Sequence, residues 1–263
     1  MIYLKTDDEI ELLRQANLLV SRTLVEISKI VKPGVTTRQL DTLAEQFIRD
    51  HGAIPTFKGF PNPYGEAFPA SICTSVNEVV VHGIPDDVPL KDGDIVSIDC
   101  GTFLNGFCGD SCYTFCVGEV KPEVKQLLKV TKESLYKAID QVSVGKRIGD
   151  IGYTVQSHCE SFGYGVVREF VGHGIGREMH EDPQVPNYGN KGTGKLLKNG
   201  MCIAIEPMIT MGTRELLMLP DKWGVITKDG KPAAHFEHTV ALHNGKVDIL
   251  SSFEEIEKQI EIN

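Results

Sequence analysis

LKDGDIVSID, residues 90–99, and LKNGMCIAIE, residues 197–206, share one pattern: a turn containing glycine, a short apolar run, then an acid. Side chains alternate along a strand, and both runs read as strands. In the first, Ile95, Ser97 and Asp99 share a face, opposite Val96 and Ile98. In the second, Cys202, Ala204 and Glu206 share a face, opposite Met201, Ile203 and Ile205. The bulky face suits packing under helices. The other face ends in an acid among small residues, which leaves a hollow beside the carboxylate.

The surroundings of the two strands also repeat. Thr6-x-x-Glu9 has the form of a capping box, and Ile10, Leu13, Ala16, Leu19 and Val20 follow at helical spacing. That helix is expected to stop near VKPG, where Pro33 lacks an N–H and Gly34 suits a turn. TTRQLDTLAEQFIRDHG gives a second helix, capped by Thr36 or Thr37 and ended by Gly52. Later, KPEVKQLLKVTKESLYKAIDQV is amphipathic with Pro122 in its first turn, and RIGDIGYTVQSHCESFG follows a break. Gly34 and Gly145 are 111 residues apart, as are Gly52 and Gly163; HGI occurs at 82–84 and 173–175. The order helix, helix, HGI, acid-ended strand, hairpin holds twice. This predicts an α+β fold in a single catalytic domain, residues 1–263. Its halves, about 1–119 and 120–263, face each other about a pseudo-twofold, with an inner antiparallel sheet and outer helices.

Apolar content is 41 % and charged content 24 %, as expected of a chain with a sizeable core. A net charge of -9 argues against nucleic-acid binding. Lys191, Lys195 and Lys198 in NKGTGKLLKNG read as a solvated loop. MIYLKTDDEIELL lacks the basic and apolar regions of a secretory signal, and no run reaches the ~18 apolar residues that span a bilayer. The seven cysteines are odd in number and none forms a CxxC pair, so they read as reduced thiols of a cytoplasmic protein.

After Asp99 comes CGTFLNGFCGDSCYTF, in which Asn105-Gly106 signals a type I′ hairpin. A two-residue loop pairs Leu104 with Phe107, Gly101 with Asp110 and Asp99 with Cys112. Asp110 is then a diagonal neighbour of Asp99, with Cβ atoms roughly 7 Å apart. Two aspartates that close repel unless a cation lies between them. WGVITKDGKPAAHFEHTVAL supplies a matching hairpin about Asp229-Gly230, in which Glu237 is the counterpart of Asp110. Asp99, Asp110, Glu206 and Glu237 thus converge on one hollow. Two divalent cations ~3.5–4 Å apart would neutralise them, a recurrent hydrolytic arrangement. In FVGHGIGREMHEDP, residues 170–183, His173 lies between two glycines that let backbone approach closely. Mixed Asp, Glu and His donors suit Mn, Fe, Co or Zn.

VVVHGIP, SID-x10-D, FVGHGIG-x3-MHEDP, IAIEPM and HFEHT resemble the motif set of type I methionine aminopeptidases. The resemblance runs from the first helix to about Val247 and implies the pita-bread fold of that family. It implies Asp99, Asp110, His173, Glu206 and Glu237 as ligands of two divalent ions, Asp110 and Glu237 bridging both. The implied reaction is hydrolysis of an N-terminal methionine from nascent proteins and peptides by a metal-activated bridging water, with small second residues preferred. His180 would contact the scissile carbonyl oxygen, His82 the scissile amide nitrogen, and Glu206 would shuttle the proton. Cys73 and Trp223 match pocket positions. Met179 stands where the family usually has an aromatic residue, and KGFPNPYGEAFPASIC is longer than usual before Cys73. The implied partners are nascent N-termini and, transiently, the ribosome surface, for a cytoplasmic monomer. Rival readings are an X-Pro aminopeptidase or prolidase, a creatine-type amidinohydrolase, and a non-enzymatic binding protein on the same fold. The first two expect a longer chain; the third expects lost ligands.

Overall fold

The structure, a computed structural model, describes residues 1–262, and side-chain surroundings through residue 260. Thr6 and Thr36 each accept a hydrogen bond from the N–H three residues on, while Glu9 and Gln39 reach back to the cap N–H. These reciprocal boxes start α1 (Asp7–Ser28) and α2 (Thr37–Asp50). Three short strands follow: β1 (Ile54–Pro55), β2 (Ile72–Val76) and β3 (Val79–Val81). A long hairpin pairs β4 (Ile95–Leu104) with β5 (Phe107–Cys116). Pro122 opens α3 (Pro122–Ile139), and α4 (Ile148–Glu160) comes next.

The rest of the chain is mostly short strands. They are β6 (Gly165–Val166), β7 (Gly172–Gly174), β8 (Glu181–Val185), β9 (Cys202–Ile205) and β10 (Met208–Thr210). Then come β11 (Leu216–Met218), β12 (Val225–Thr227), β13 (Ala233–His235), β14 (Glu237–His243) and β15 (Lys246–Ile249). The described chain closes on α5 (Glu254–Ile262), a helix not foreseen from the sequence.

The main sheet runs β1–β4–β5–β14–β9–β7–β8, antiparallel throughout, with β2 also on β4 and β15 also on β14. Two three-stranded sheets, β13–β10–β6 and β11–β12–β3, flank it. One face of the main sheet is covered by helices. There Leu24, Ile27, Leu40, Ile98, Phe115, Leu127, Ile151 and Val240 join one buried apolar cluster. The other face carries the acids.

Asn105 (φ 53°) and Gly106 (φ 85°) both take the left-handed conformation a type I′ turn requires. The resulting register is the expected one, with Leu104 opposite Phe107, Gly101 opposite Asp110 and Asp99 opposite Cys112. The glycine pairs also match. Gly34 and Gly145 have φ 93° and 91°, and Gly52 and Gly163 have φ 72° and 79°.

Two expectations need correction. β4 does not end at Asp99 but continues to Leu104, because β2 and β1 hold one edge and β5 the other. Asp99 therefore lies in mid-strand, whereas Glu206 does fall just past the end of β9. The Asp229-Gly230 turn does not make a second hairpin. It joins β12 to β13, which belong to different sheets, and the break at Phe236 then passes the chain to β14 in the main sheet. No helix among the described residues is long and apolar enough to cross a membrane.

Candidate metal centre

Cross-strand register builds a row of side chains on the open face. Cys73 lies opposite Asp99, Asp99 opposite Cys112, and Cys112 opposite Glu237. Asp110 is two residues from Cys112 and shares its face. Its cross-strand neighbour is Gly101, where a Cβ would come within 3.1 Å of Phe57 Cε1. β9 pairs with β14 at Ile205 and His238, which sets Glu206 near Glu237. β7 joins β9 at Gly174 and Ile203 and brings in His173.

The donors meet closely. His173 Nε2 is 3.5 Å from Asp110 Oδ2 and 3.6 Å from Glu206 Oε1. Donor atoms of Asp110, His173 and Glu237 all lie within 4.8 Å of one another. His173 Nδ1 donates to the Gly174 carbonyl at 2.9 Å, which leaves Nε2 with its lone pair directed at the carboxylates. Asp99 Oδ1, Asp110 Oδ1 and Glu237 Oε1 are buried without a hydrogen-bond partner among the described residues. Buried carboxylates in this state are costly unless a cation or a proton compensates them. Burial, then the charge of neighbouring acids, pushes Asp99, Glu206 and Glu237 well above the usual carboxylate range. Asp110 is also pushed up, by burial, against hydrogen bonds from Asp99 and Glu237 that pull it down. Orphaned oxygens, a lone pair aimed at them and a surplus of negative charge fit a divalent cation of the Mn, Fe, Co or Zn class.

Hydrogen bonds from outside the cluster hold its backbone. The Asp110 N–H donates to Asn17 Oδ1 at 3.1 Å, and Thr239 Oγ1 donates to the Asp110 carbonyl at 2.9 Å. Ser111 Oγ donates to the Glu237 carbonyl at 2.6 Å, and Asn187 Nδ2 to the Glu206 carbonyl at 2.9 Å.

Above the acids lies a cavity of about 220 Å³. Its floor is Asp99, Asp110, His173, Glu206 and Glu237. Phe57, Phe60, Phe68, Cys73, Val81, Phe170, Met208 and Trp223 make much of its wall. Trp223 is fixed edge-on to Phe68, ring centroids 5.1 Å apart, and its indole N–H donates to the Glu66 carbonyl at 2.9 Å. His82, His180 and His235 add imidazoles to the wall. His82 takes φ 58°, an uncommon conformation for a residue with a side chain and one found often at functional sites. Burial, and the charge of a neighbouring histidine, lowers His82 and His180 to about 4 and His235 to about 3. All three imidazoles are therefore neutral near pH 7.

Of the residues singled out in the sequence, Met179 alone does not reach the cavity. It is buried in one apolar cluster with Ile10, Leu13, Phe107 and Ile175, against which Phe57 of the cavity wall packs, and its Cε lies where a Cβ on Gly101 would meet it at 2.5 Å. His235 was missed. Its Nε2 is buried, has no hydrogen-bond partner among the described residues, and lies 3.7 Å from Glu206 Oε2. The available signal was its spacing of two from Glu237, which puts both on one face of an extended chain.

Comparison with known proteins gives a consistent picture. Residues 11–244 match metallopeptidase family M24. The methionine aminopeptidase of Clostridium acetobutylicum is 53 % identical over 252 residues, spanning 95 % of this chain and 99 % of that protein. Methionine aminopeptidase 1 of Bacillus subtilis is 49 % identical over 251 residues, with 95 % and 99 % covered. The crystal structure of methionine aminopeptidase from Rickettsia prowazekii aligns with a TM-score of 0.92 at 43 % identity, over 96 % of this chain and 100 % of that one.

Proposed function

The chain belongs to metallopeptidase family M24 and, within it, to the methionine aminopeptidases with their pita-bread fold, and from that premise we propose how its residues divide the work. The reaction is hydrolysis of the peptide bond after an N-terminal methionine, with small second residues preferred. Asp99, Asp110, His173, Glu206 and Glu237 would hold two divalent ions. Ions so held would lower the pKa of bound water and polarise a carbonyl.

The protein groups have separate tasks. Glu206 takes a proton from the attacking water at its carboxylate and returns it to the leaving amine. The neutral imidazole of His180 donates its N–H to the scissile carbonyl oxygen as negative charge develops there. The neutral imidazole of His82 contacts the scissile amide nitrogen, accepting from its N–H. The methionine side chain lies against Cys73, Trp223 and Phe68, where aromatic and thiol surfaces suit a thioether. Met179 backs the wall beside Gly101 and Phe57. The substrates are nascent chain N-termini in the cytoplasm, met by a monomer in transient contact with the ribosome surface.

One observation carries this reading: buried Asp110, His173 and Glu237 meet half-buried Asp99 and Glu206, with unpartnered carboxylate oxygens among the described residues, at the floor of an apolar-walled cavity. A binding protein on the same fold would have no use for such a cage. The test is turnover of Met-Ala-Ser against an X-Pro peptide, with metal titrated into stripped protein, for wild type and Asp110→Asn. Wild type is expected to need metal and to prefer Met-Ala-Ser. Asp110→Asn should lose kcat/KM by on the order of a thousandfold. Activity of the variant within about tenfold of wild type, or preference for the X-Pro peptide, would overturn the assignment.

A further inference from the structure

Lys5 and Glu181 form an ion pair where charges are rare: their side chains are only 6 % and 9 % exposed. Neither belongs to the cage or the cavity wall. Glu181 directly follows His180 in the chain. One of its oxygens, Oε2, accepts from Lys5 Nζ. The other, Oε1, accepts from the Arg177 N–H at 3.0 Å and the Glu178 N–H at 3.4 Å. The carboxylate thus draws residues 177–181 into a ring around itself. Gly176 leaves room for this, since a Cβ there would fall 2.6 Å from Lys5 Cε and 2.7 Å from Lys5 Nζ. Lys5 is anchored in turn. Its Nζ donates to the Tyr3 carbonyl at 3.2 Å, and its N–H donates to the Gly200 carbonyl at 2.7 Å, two residues before β9. His180, at the end of the ring, stands with its imidazole centroid 4.4 Å from that of His173 and 5.4 Å from the Phe60 ring.

We propose that Lys5 and Glu181 are a positioning pair for the reaction: they touch no substrate, and they set the pose of His180 above the cage. The inference rests on the role given to His180 above. The reasoning is geometric. Residues 175–180, which join β7 to β8, contain Gly176 and are soft unless fastened. A buried ion pair adds little net stability, but breaking it leaves an uncompensated charge that forces local rearrangement. Here the rearranging groups are the amides that carry the chain into His180.

The test is a double-mutant cycle on metal-loaded protein turning over Met-Ala-Ser. Lys5→Met is made in wild type and in His180→Ala, with the folded fraction read from melting curves and bound Mn(II) from electron paramagnetic resonance. Lys5→Met should lower kcat roughly 10- to 100-fold in wild type, with KM changed by less than about threefold and Mn(II) binding unaltered. In His180→Ala the same substitution should change kcat by less than about twofold, since the group it positions is gone. Equal losses in both backgrounds would mark the pair as merely structural and overturn the proposal. So would an undiminished kcat in wild type. If His180→Ala itself turns over like wild type, the role of His180 falls and takes the proposal with it, an outcome distinct from additive losses. Should Lys5→Met fold poorly, Glu181→Ala carries the same cycle with the same expected losses, because it removes the acceptor of Lys5 Nζ and of the two loop N–H groups.

Discussion

Asp110 has a strand N–H that no strand receives. It is a non-hydrogen-bonded partner of Gly101, so its N–H and C=O point away from β4. On that side β14 pairs with β5 only at Ser111 and Cys112. Two side chains stand in for the missing strand, Asn17 from α1 and Thr239 from β14. Asn17 is itself held, its Nδ2 donating to the Leu13 carbonyl at 2.9 Å. Asn17→Ala should therefore leave a buried donor unmatched, costing about 1–3 kcal/mol of stability. It should also loosen the metal-binding carboxylate and weaken Mn(II) affinity by roughly tenfold, as loss of an outer-shell partner typically does. Calorimetric titration of stripped protein with Mn(II) checks this; unchanged affinity would show that Thr239 alone suffices. The histidines of HFEH show where residue-scale reading stops. His235 faces the cavity. His238 instead stacks on Phe253 at 3.8 Å, bonded to Ser251 at 2.6 Å and Tyr136 at 3.2 Å. Alternation puts His235 with Glu237 and His238 on the opposite face, whereas the switch between sheets at Phe236 has no local sequence signal.

Elements were far more legible than their ends and connections. Capping boxes at Thr6 and Thr36, Pro122 at a first turn, and Asn105-Gly106 are all local chemistry, and each does in the structure what it does in isolation. The β4–β5 register followed from the turn alone, which is why Asp99 and Asp110 could be placed on one face before any tertiary contact was known. What could not be read is what depends on neighbours: β4 running past Asp99, the Asp229-Gly230 turn changing sheets, and Met179 falling outside the cavity lining. The packing of α1 on β5 is of this kind. At Gly109 a Cβ would meet Ala16 C at 2.5 Å, Ala16 O at 2.6 Å and Asn17 N at 2.7 Å, all helix backbone that has no flexible end to move. Gly109→Ala should push α1 outward and cost about 1–3 kcal/mol, the range for overpacking. That is a fall in Tm of roughly 3–10 °C for a chain of this size. Because Asn17 rides on the same helix, Mn(II) affinity should fall with it. A variant with wild-type Tm would show that the helix can shift without loss.

At the scale of the whole molecule, the cage is a strain on the fold that a metal removes. Asp99, Glu206 and Glu237 are held above the usual carboxylate range by burial and mutual repulsion, and Asp110 by burial. In the stripped protein, the folded state binds protons more tightly than the unfolded chain does. Between the ordinary carboxylate pKa of about 4 and the raised folded values, more protons are bound folded than unfolded, so stability falls as pH rises. Divalent ions compete with those protons for the same oxygens, and their affinity climbs as the protons leave. Both express the same competition for the carboxylate oxygens. The gain in Tm on loading should be small near pH 5 and grow towards pH 8. At an ion concentration of about 100 times the dissociation constant, binding contributes about 2.7 kcal/mol. For a domain of this size that corresponds to roughly 5–10 °C. Melting curves in EDTA and in excess Mn(II) at pH 5, 6.5 and 8 give the comparison directly. Stripped protein should melt lower at each step up in pH within its own series, beyond any trend in Asp99→Asn/Asp110→Asn, where two of the raised carboxyls are gone. A loading increment independent of pH would mean that the four acids are not protonated together in the metal-free fold, and that the cage is balanced by some other charge.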